Sequence, residues 1–369
     1  GNLTIGEMKE GIAFAHERGV KCYLTINIFA HNRDIQLLWE YLGKIKELNI
    51  DAFIVSDPGI ICLIQEIIPD AEIHLSTQAN MTNYQTANFW YNIGVKRIVL
   101  ARELSFEEMA EIRQNTPEDL EYEVFVHGAM CISYSGRCLL SNFMIERDAN
   151  QGMCAHPCRW KYALVEEQRP GQYYPIEEDD RGTYILNSRD LCMIEYIPQL
   201  VESGLASLKI EGRMKSIFYV ATIIAAYRKA IDAYYEDPKG YVFKQEWMDE
   251  MKKVSHREFT TGFYFNNPTN KDQNYRTSAY TRDYTFTGLV KEYNPDTGYA
   301  IVEQRNKMVL GDEIEVFGPG KDFFVQKLNE MYDEEGNAIS QAPHPQQILK
   351  IKMDYPVEEN FMLRKKKEK

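Results

Sequence analysis

Residues 51–76, DAFIVSDPGIICLIQEIIPDAEIHLS, carry the pattern that decides the fold. A β-rich run, DAFIVS at 51–56, leads into an apolar helical stretch that holds Cys62, and a second β-rich run, EIHLS, follows at 72–76. Strands alternating with helical patterns argue for a parallel sheet with helices outside it. The rhythm continues in both directions, with KCYLTINI at 21–28 before it and KRIVLA at 96–101, EYEVFVH at 121–127 and SLKI at 207–210 after it. Between the first two strands, Ile35, Leu38, Leu42 and Ile45 recur at helical spacing on one face.

This spacing suits a (β/α) barrel or an open doubly wound sheet, and the α/β reading preferred here is a TIM-type (β/α) barrel. Only six strands are legible, so an eight-stranded barrel needs two more βα units, and the expectation is an N-terminally truncated barrel. The barrel and catalytic domain are expected over 1–235, with a Cys-rich insertion at 128–192. Residues 236–283, rich in Asn, Thr, Gly and aromatic side chains, are expected to form a linker that packs on the barrel. From 284 to 369 the short runs TFTGLVKEY, GYAIVEQ, DEIEVFG and ILKIKM, punctuated by NPDTG and GPGKD, predict a small C-terminal all-β barrel or sandwich. The final RKKKEK, at 364–369, reads as a solvated, disordered basic tail.

Composition limits the function. The 369 residues are 44% hydrophobic and 26% charged, ordinary for a soluble globular protein, and no apolar run approaches the roughly 18 residues needed to span a bilayer. The first residues lack an export signal, so a cytoplasmic location is expected. A net charge of −13 excludes a surface built for nonspecific nucleic-acid coating, so any RNA contact must be local.

Five of the seven cysteines fall between Cys131 and Cys192. Cys22 and Cys62 fit strand and helix cores, but Cys131, Cys138, Cys154, Cys158 and Cys192 crowd near loops. Four converging thiolates can hold zinc or an iron-sulfur cluster, and the spacing matches neither a standard zinc finger nor a ferredoxin run.

Residues 123–141 resemble the signature of peptidase family U32, with Glu123, Phe125, Gly128, Cys131, Gly136, Cys138 and Ser141 at its fixed positions. NQGMCAHPCRW at 150–160, LNSRDLC at 186–192, LKIEGRMKS at 208–216 and FTTGFYF at 259–265 extend the resemblance over nearly the whole chain. The chain looks most like the branch that makes 5-hydroxyuridine at the wobble position of tRNA, using prephenate as the hydroxyl source. That resemblance implies a [4Fe-4S] cluster on Cys131, Cys138, Cys154 and Cys192, with Cys158 as an alternative ligand. It also implies a tRNA anticodon loop as partner, and a second U32-family protein is a further candidate partner.

In a barrel, functional groups follow the strands, which singles out Asn27, Ser56, Gln78, Arg102, His127, Glu211 and Arg213. Arg102 and Arg213 suit a dicarboxylate such as prephenate, because guanidinium forks bind carboxylates in bidentate fashion. His127 can shuttle a proton or hydrogen-bond a cluster sulfur, and Glu211 and Arg213 complete the catalytic candidates. Asn27, Gln78, Arg102, Arg159 and Trp160 are the substrate-binding candidates, Arg159 and Trp160 as a grip on the RNA. Two rival functions remain: a U32-type peptidase, and a noncatalytic RNA-binding scaffold stapled by zinc. The sequence has no HExxH or GxSxG motif to favour the first.

Overall fold

The computed structural model describes residues 3–131, 133–160, 189–265 and 281–367, with short strands at 164–165, 173–174, 178–179 and 182–183. It contains two compact units, Gly1–Glu211 with Glu258–Ser278, and Gly212–Arg257 with Ala279–Lys369.

In the first unit β1 (Tyr23–Ile26), β2 (Ala52–Val55), β3 (Ile73–Leu75), β4 (Val95–Val99) and β5 (Glu121–Ala129) lie side by side, all parallel. Helices α1 (Ile5–His16), α2 (Asn32–Ile45), α3 (Pro58–Ile67), α4 (Tyr84–Asn92) and α5 (Phe106–Gln114) alternate with them. Their starts are written in the sequence. Thr4 and Glu7 form a capping box at α1, as do Ser105 and Glu108 at α5, and the Asp57 carboxylate accepts from Gly59 N at 2.8 Å where α3 begins with Pro58.

All six expected strands are present. The sixth, Ser207–Ile210, runs parallel to the first part of β5, while Asp190–Cys192 runs antiparallel to its last part, pairing Asp190 with Ala129 and Cys192 with His127. Phe259–Thr260 extends the sheet beyond Asp190–Cys192. Among the described residues no strand pair joins β1 to the opposite edge, so this is a mixed α/β sheet.

The register separates two chemically distinct faces. Leu24, Phe53, Ile73 and Val95 form one row, and Ile26, Val55, Leu75, Ile98 and Tyr122 another on the same face. Those rows are apolar, as a helix-covered sheet face requires. The opposite face carries Thr25, Ile54, His74, Arg97 and Glu121 in one row, then Glu123, Phe125 and His127 along β5. Its charges are paired: Arg97 Nε donates to Glu121 at 2.7 Å, and Glu123 accepts from Lys209 Nζ and Ser207 Oγ, both at 2.7 Å. Burial pushes the Glu123 pKa up, but Lys209, Ser207 and Arg97 outweigh it and hold the carboxyl below its ordinary value. His74, fully covered beside Glu72, is shifted down by burial and stays neutral.

The domain boundaries differ from those expected. The sequence pattern assigns the helix Ile217–Glu236 to the barrel and residues 236–283 to a linker packed on it, whereas in the structure Gly212–Arg257 groups with the C-terminal strands. Packing explains this: that helix lies against the helix Gln245–Lys252, and Phe218 stacks on Phe286 with ring centroids 5.5 Å apart. From the expected linker, Glu258–Phe265 does join the sheet, where Tyr264 donates to Phe125 O at 2.6 Å.

The second unit contains a seven-stranded antiparallel sheet in the order 324–327, 313–317, 362–366, 284–294, 299–304, 348–352, 331–332. Val290, Val302, Ile314, Leu349 and Leu363 fill its core. The basic tail is corrected here: Met362–Lys366 is a strand well inside this sheet, and Arg364 is 0% exposed. A run of cations suggests a solvated tail, but Arg364 meets two carboxylates, Glu315 and Glu250, each at 2.7 Å.

Candidate functional site

The residues following the parallel strands come together. Asn27, just past β1, donates through its amide to Ser76 Oγ at 2.9 Å, and Ser56 Oγ donates to Asn27 O at 3.0 Å. Gln78 sits in the short 3₁₀ turn Thr77–Ala79, capped by Ser76. Arg102, past β4, donates to Ala129 O at 2.8 Å and lies over the Phe125 ring, 4.0 Å from its centroid. Both contacts aim its guanidinium at the far end of β5, where the cysteine loop begins.

His127 is buried on β5, opposite Cys192. Next to it Gly128 has φ +119°, and a Cβ there would stand 2.7 Å from Glu211 O, so only glycine lets the chain at Glu211 approach. Glu211 N donates to His127 O at 2.9 Å, which fixes Glu211 beside the histidine. Arg213 lies in the turn Gly212–Lys215 of the second unit. Trp160 is exposed; the side chain of Arg159 lies outside the described residues, as do Lys161 and Tyr162.

Cys131 is exposed two residues beyond β5, and Cys138 is half-buried ahead of the short helix Leu140–Ile145. That helix packs against the turn Pro157–Arg159, which contains the half-buried Cys158 and follows the half-buried Cys154, and Ala155 N donates to Ser141 Oγ at 3.1 Å. His156 N donates to Cys154 Sγ at 3.3 Å. Cys192 is buried. Five soft sulfur donors attached to one end of the sheet match zinc or an iron-sulfur cluster in donor type. Among the described residues, however, no three His, Cys, Asp or Glu side chains are grouped so as to hold a metal ion.

Two residues escaped sequence reasoning. Asn150, buried at 7% exposure, accepts from Phe29 N at 2.7 Å and donates to Gln78 Oε1 at 2.9 Å. It latches the cysteine loop across the ends of β1 and β3, and Gly136 from the same loop abuts Gln78. Glu103, beside Arg102, has its pKa raised by burial, with Arg102 opposing. Its only sequence signal was its place just after a strand.

The latch gives a test. Gln78→Glu or Asn150→Asp alone leaves one amide facing one carboxylate, so each is tolerated, whereas the double variant sets two carboxylates against each other. A coupling of about 1–3 kcal/mol between them is expected, read from hydrogen exchange over residues 133–160. Strictly additive effects would discard the latch.

An α/β sheet with a cysteine-bearing loop across its strand ends, together with a C-terminal antiparallel β unit, defines the class. The family model for peptidase family U32 matches residues 1–274, and that for the U32 C-terminal domain matches residues 282–364. The chain belongs to peptidase family U32. It is 43% identical over 366 residues to tRNA hydroxylation protein P1 of Bacillus subtilis, covering 99% of this chain and 86% of that protein. With tRNA hydroxylation protein P of Escherichia coli it shares 37% over 395 residues, covering 96% and 85%. It is also 30% identical over 340 residues to a protein named collagenase from Porphyromonas gingivalis, covering 89% and 80%. Among solved structures, the C-terminal domain of a Geobacillus thermoleovorans family member is 46% identical, covering 22% of this chain and 99% of that one, with a TM-score of 0.22. No helix among the described residues is long and apolar enough to cross a membrane.

Proposed function

We propose that the chain is a tRNA-modifying enzyme that hydroxylates the wobble uridine to 5-hydroxyuridine, taking the hydroxyl from prephenate. The observation that carries this reading is the similarity, along almost the full chain, to relatives named tRNA hydroxylation proteins. The sheet is read as part of a TIM-type barrel whose strand ends form the active site, in the cytoplasm where tRNA is found.

Cys131, Cys138, Cys154 and Cys192 would hold a [4Fe-4S] cluster, with Cys158 as the alternative ligand and zinc as the alternative metal. When bound, the cluster supplies a Lewis-acidic, redox-active centre. Arg102 orients a carboxylate of the donor, its guanidinium already fixed by Ala129 O and the Phe125 face. Asn27, through the Ser56 and Ser76 hydrogen bonds, presents a rigid amide to the substrate. Glu103, its carboxyl pushed toward the protonated form by burial, can hold a proton near the reacting atoms. His127 and Glu211 stand together at the end of β5. An unpaired anticodon loop makes extrusion of the base cheap, and Trp160 offers it an exposed ring.

Anaerobically purified protein should contain about four irons and four sulfides per chain. Expressed in a bacterial strain stripped of its own family members, it should restore 5-hydroxyuridine to tRNA. One zinc with no iron, and no restored nucleoside, would reject the reading. Similarity to the collagenase favours a second reading, a peptidase, which gelatin cleavage by the same preparation would support.

A further inference from the structure

The outward face of the C-terminal sheet bears an aromatic and cationic platform. Ala300, Val302, Leu349 and Ile351 point into the core at 0% exposure, so the alternate residues Tyr299, Ile301, Lys350 and Lys352 face away from it. Strand register sets Tyr299 beside Lys352 and Ile301 beside Lys350, with Tyr332 on the far side of Lys350. One carboxylate orients both rings: Glu330 accepts from Tyr299 at 2.8 Å and from Tyr332 at 3.0 Å. The Lys350 and Lys352 ammonium groups lie 4.7 and 5.1 Å from the Tyr299 ring centroid.

Some lysines of this unit are held by carboxylates: Lys253 by Glu315, Lys321 by Glu358, Lys365 by Asp312. Lys350 and Lys352 are exposed and meet no carboxylate in an ion pair among the described residues, although Lys352 Nζ donates to Thr297 O. Glu303, on the same face, is neutralised by Arg305 at 2.7 Å. Two lysines beside an oriented ring, against the single carboxylate Glu330, give this face a net positive charge on a chain of net charge −13. Such a pairing suits a polyanion with flat, unstacked rings.

We infer that this face binds an unpaired stretch of tRNA, one base stacking on Tyr299 and the flanking phosphates meeting Lys350 and Lys352. The inference rests on the tRNA reading above and adds to it a second, noncatalytic RNA contact.

The test is binding of a fluorescent tRNA anticodon stem-loop to the full chain across a salt series. Lys350→Glu with Lys352→Glu should weaken binding about tenfold or more, and replacing both by alanine should lower the salt slope by about 1.4, as expected for two lost phosphate contacts on a single strand. Tyr299→Ala should cost about fivefold or more, while Tyr299→Phe, which keeps the ring, should stay within about twofold. Circular dichroism checks that each variant is folded. If wild type binds and all variants match it, the platform is wrong although the tRNA reading stands; a change in oligomeric state in the lysine variants would then assign the face to self-association. If wild type binds no RNA, both are wrong.

Discussion

Cys138→Ala is expected to remove 5-hydroxyuridine from tRNA completely in a strain that depends on this chain, and to bleach the purified protein. Cys138 sits where the loop leaving β5 turns into the helix Leu140–Ile145, and that helix packs against the turn Pro157–Arg159, which carries Cys158. A cluster that loses one thiolate of four is left with an open iron, and serine, a harder donor, should restore little colour. Cys22→Ala provides the control, since Cys22 lies ahead of β1, away from the loop. The nucleoside is measured by mass spectrometry of digested tRNA and the cluster by visible absorption. Unchanged 5-hydroxyuridine with Cys138→Ala would eliminate the cluster-dependent mechanism.

Arg364→Met is expected to destabilise the second unit by about 3–5 kcal/mol. The guanidinium is wholly buried and bridges Glu315 on one strand to Glu250 on the helix Gln245–Lys252, while Lys253 reaches both carboxylates, Glu315 at 2.9 Å. Methionine fills the space but leaves two acidic groups sharing one lysine. Adding Glu250→Gln and Glu315→Gln should recover much of the loss, because the uncompensated charge, not the missing volume, is the damage. Burial pushes the Glu315 pKa up, yet Lys253 and Arg364 outweigh it and hold the carboxyl below its ordinary value. Its contribution is therefore present above the ordinary carboxylate range and is lost as pH falls through the depressed folded value. Urea melts at neutral and acid pH should converge for wild type and Arg364→Met as the carboxylates protonate. A difference that persists unchanged in acid would refute the electrostatic account.

The parallel strands could be read from sequence because each is a β-branched run bounded by turn residues, and the position of Cys131, Cys138 and Cys154 outside helices and strands because glycine and polar residues surround them. Asp190–Cys192 and Phe259–Thr260 were missed, being too short to show a period. The domain break at Gly212 was hidden because the helix Ile217–Glu236 continues the βα rhythm; only its partners, Phe286 among them, reveal its allegiance. Arg364 was misread because the carboxylate that buries it, Glu250, is distant in sequence. The same holds for Asn150, whose partners Phe29 and Gln78 lie far upstream. Patterns within a dozen residues survive such reading, whereas pairings between distant polar groups do not.

β5 divides one flank between two neighbours, a parallel strand first and an antiparallel one after it, so that Ala129 and Asp190 face each other where the chain departs and returns. The long excursion between them is thus tied off at its neck. Because the Ala129–Asp190 pairing closes its ends, a change of length within it does not by itself require any strand to shift along its neighbour. A neck of this kind holds the ends of the excursion, at Cys131 and Cys192, close to β5 whatever length of chain lies between them.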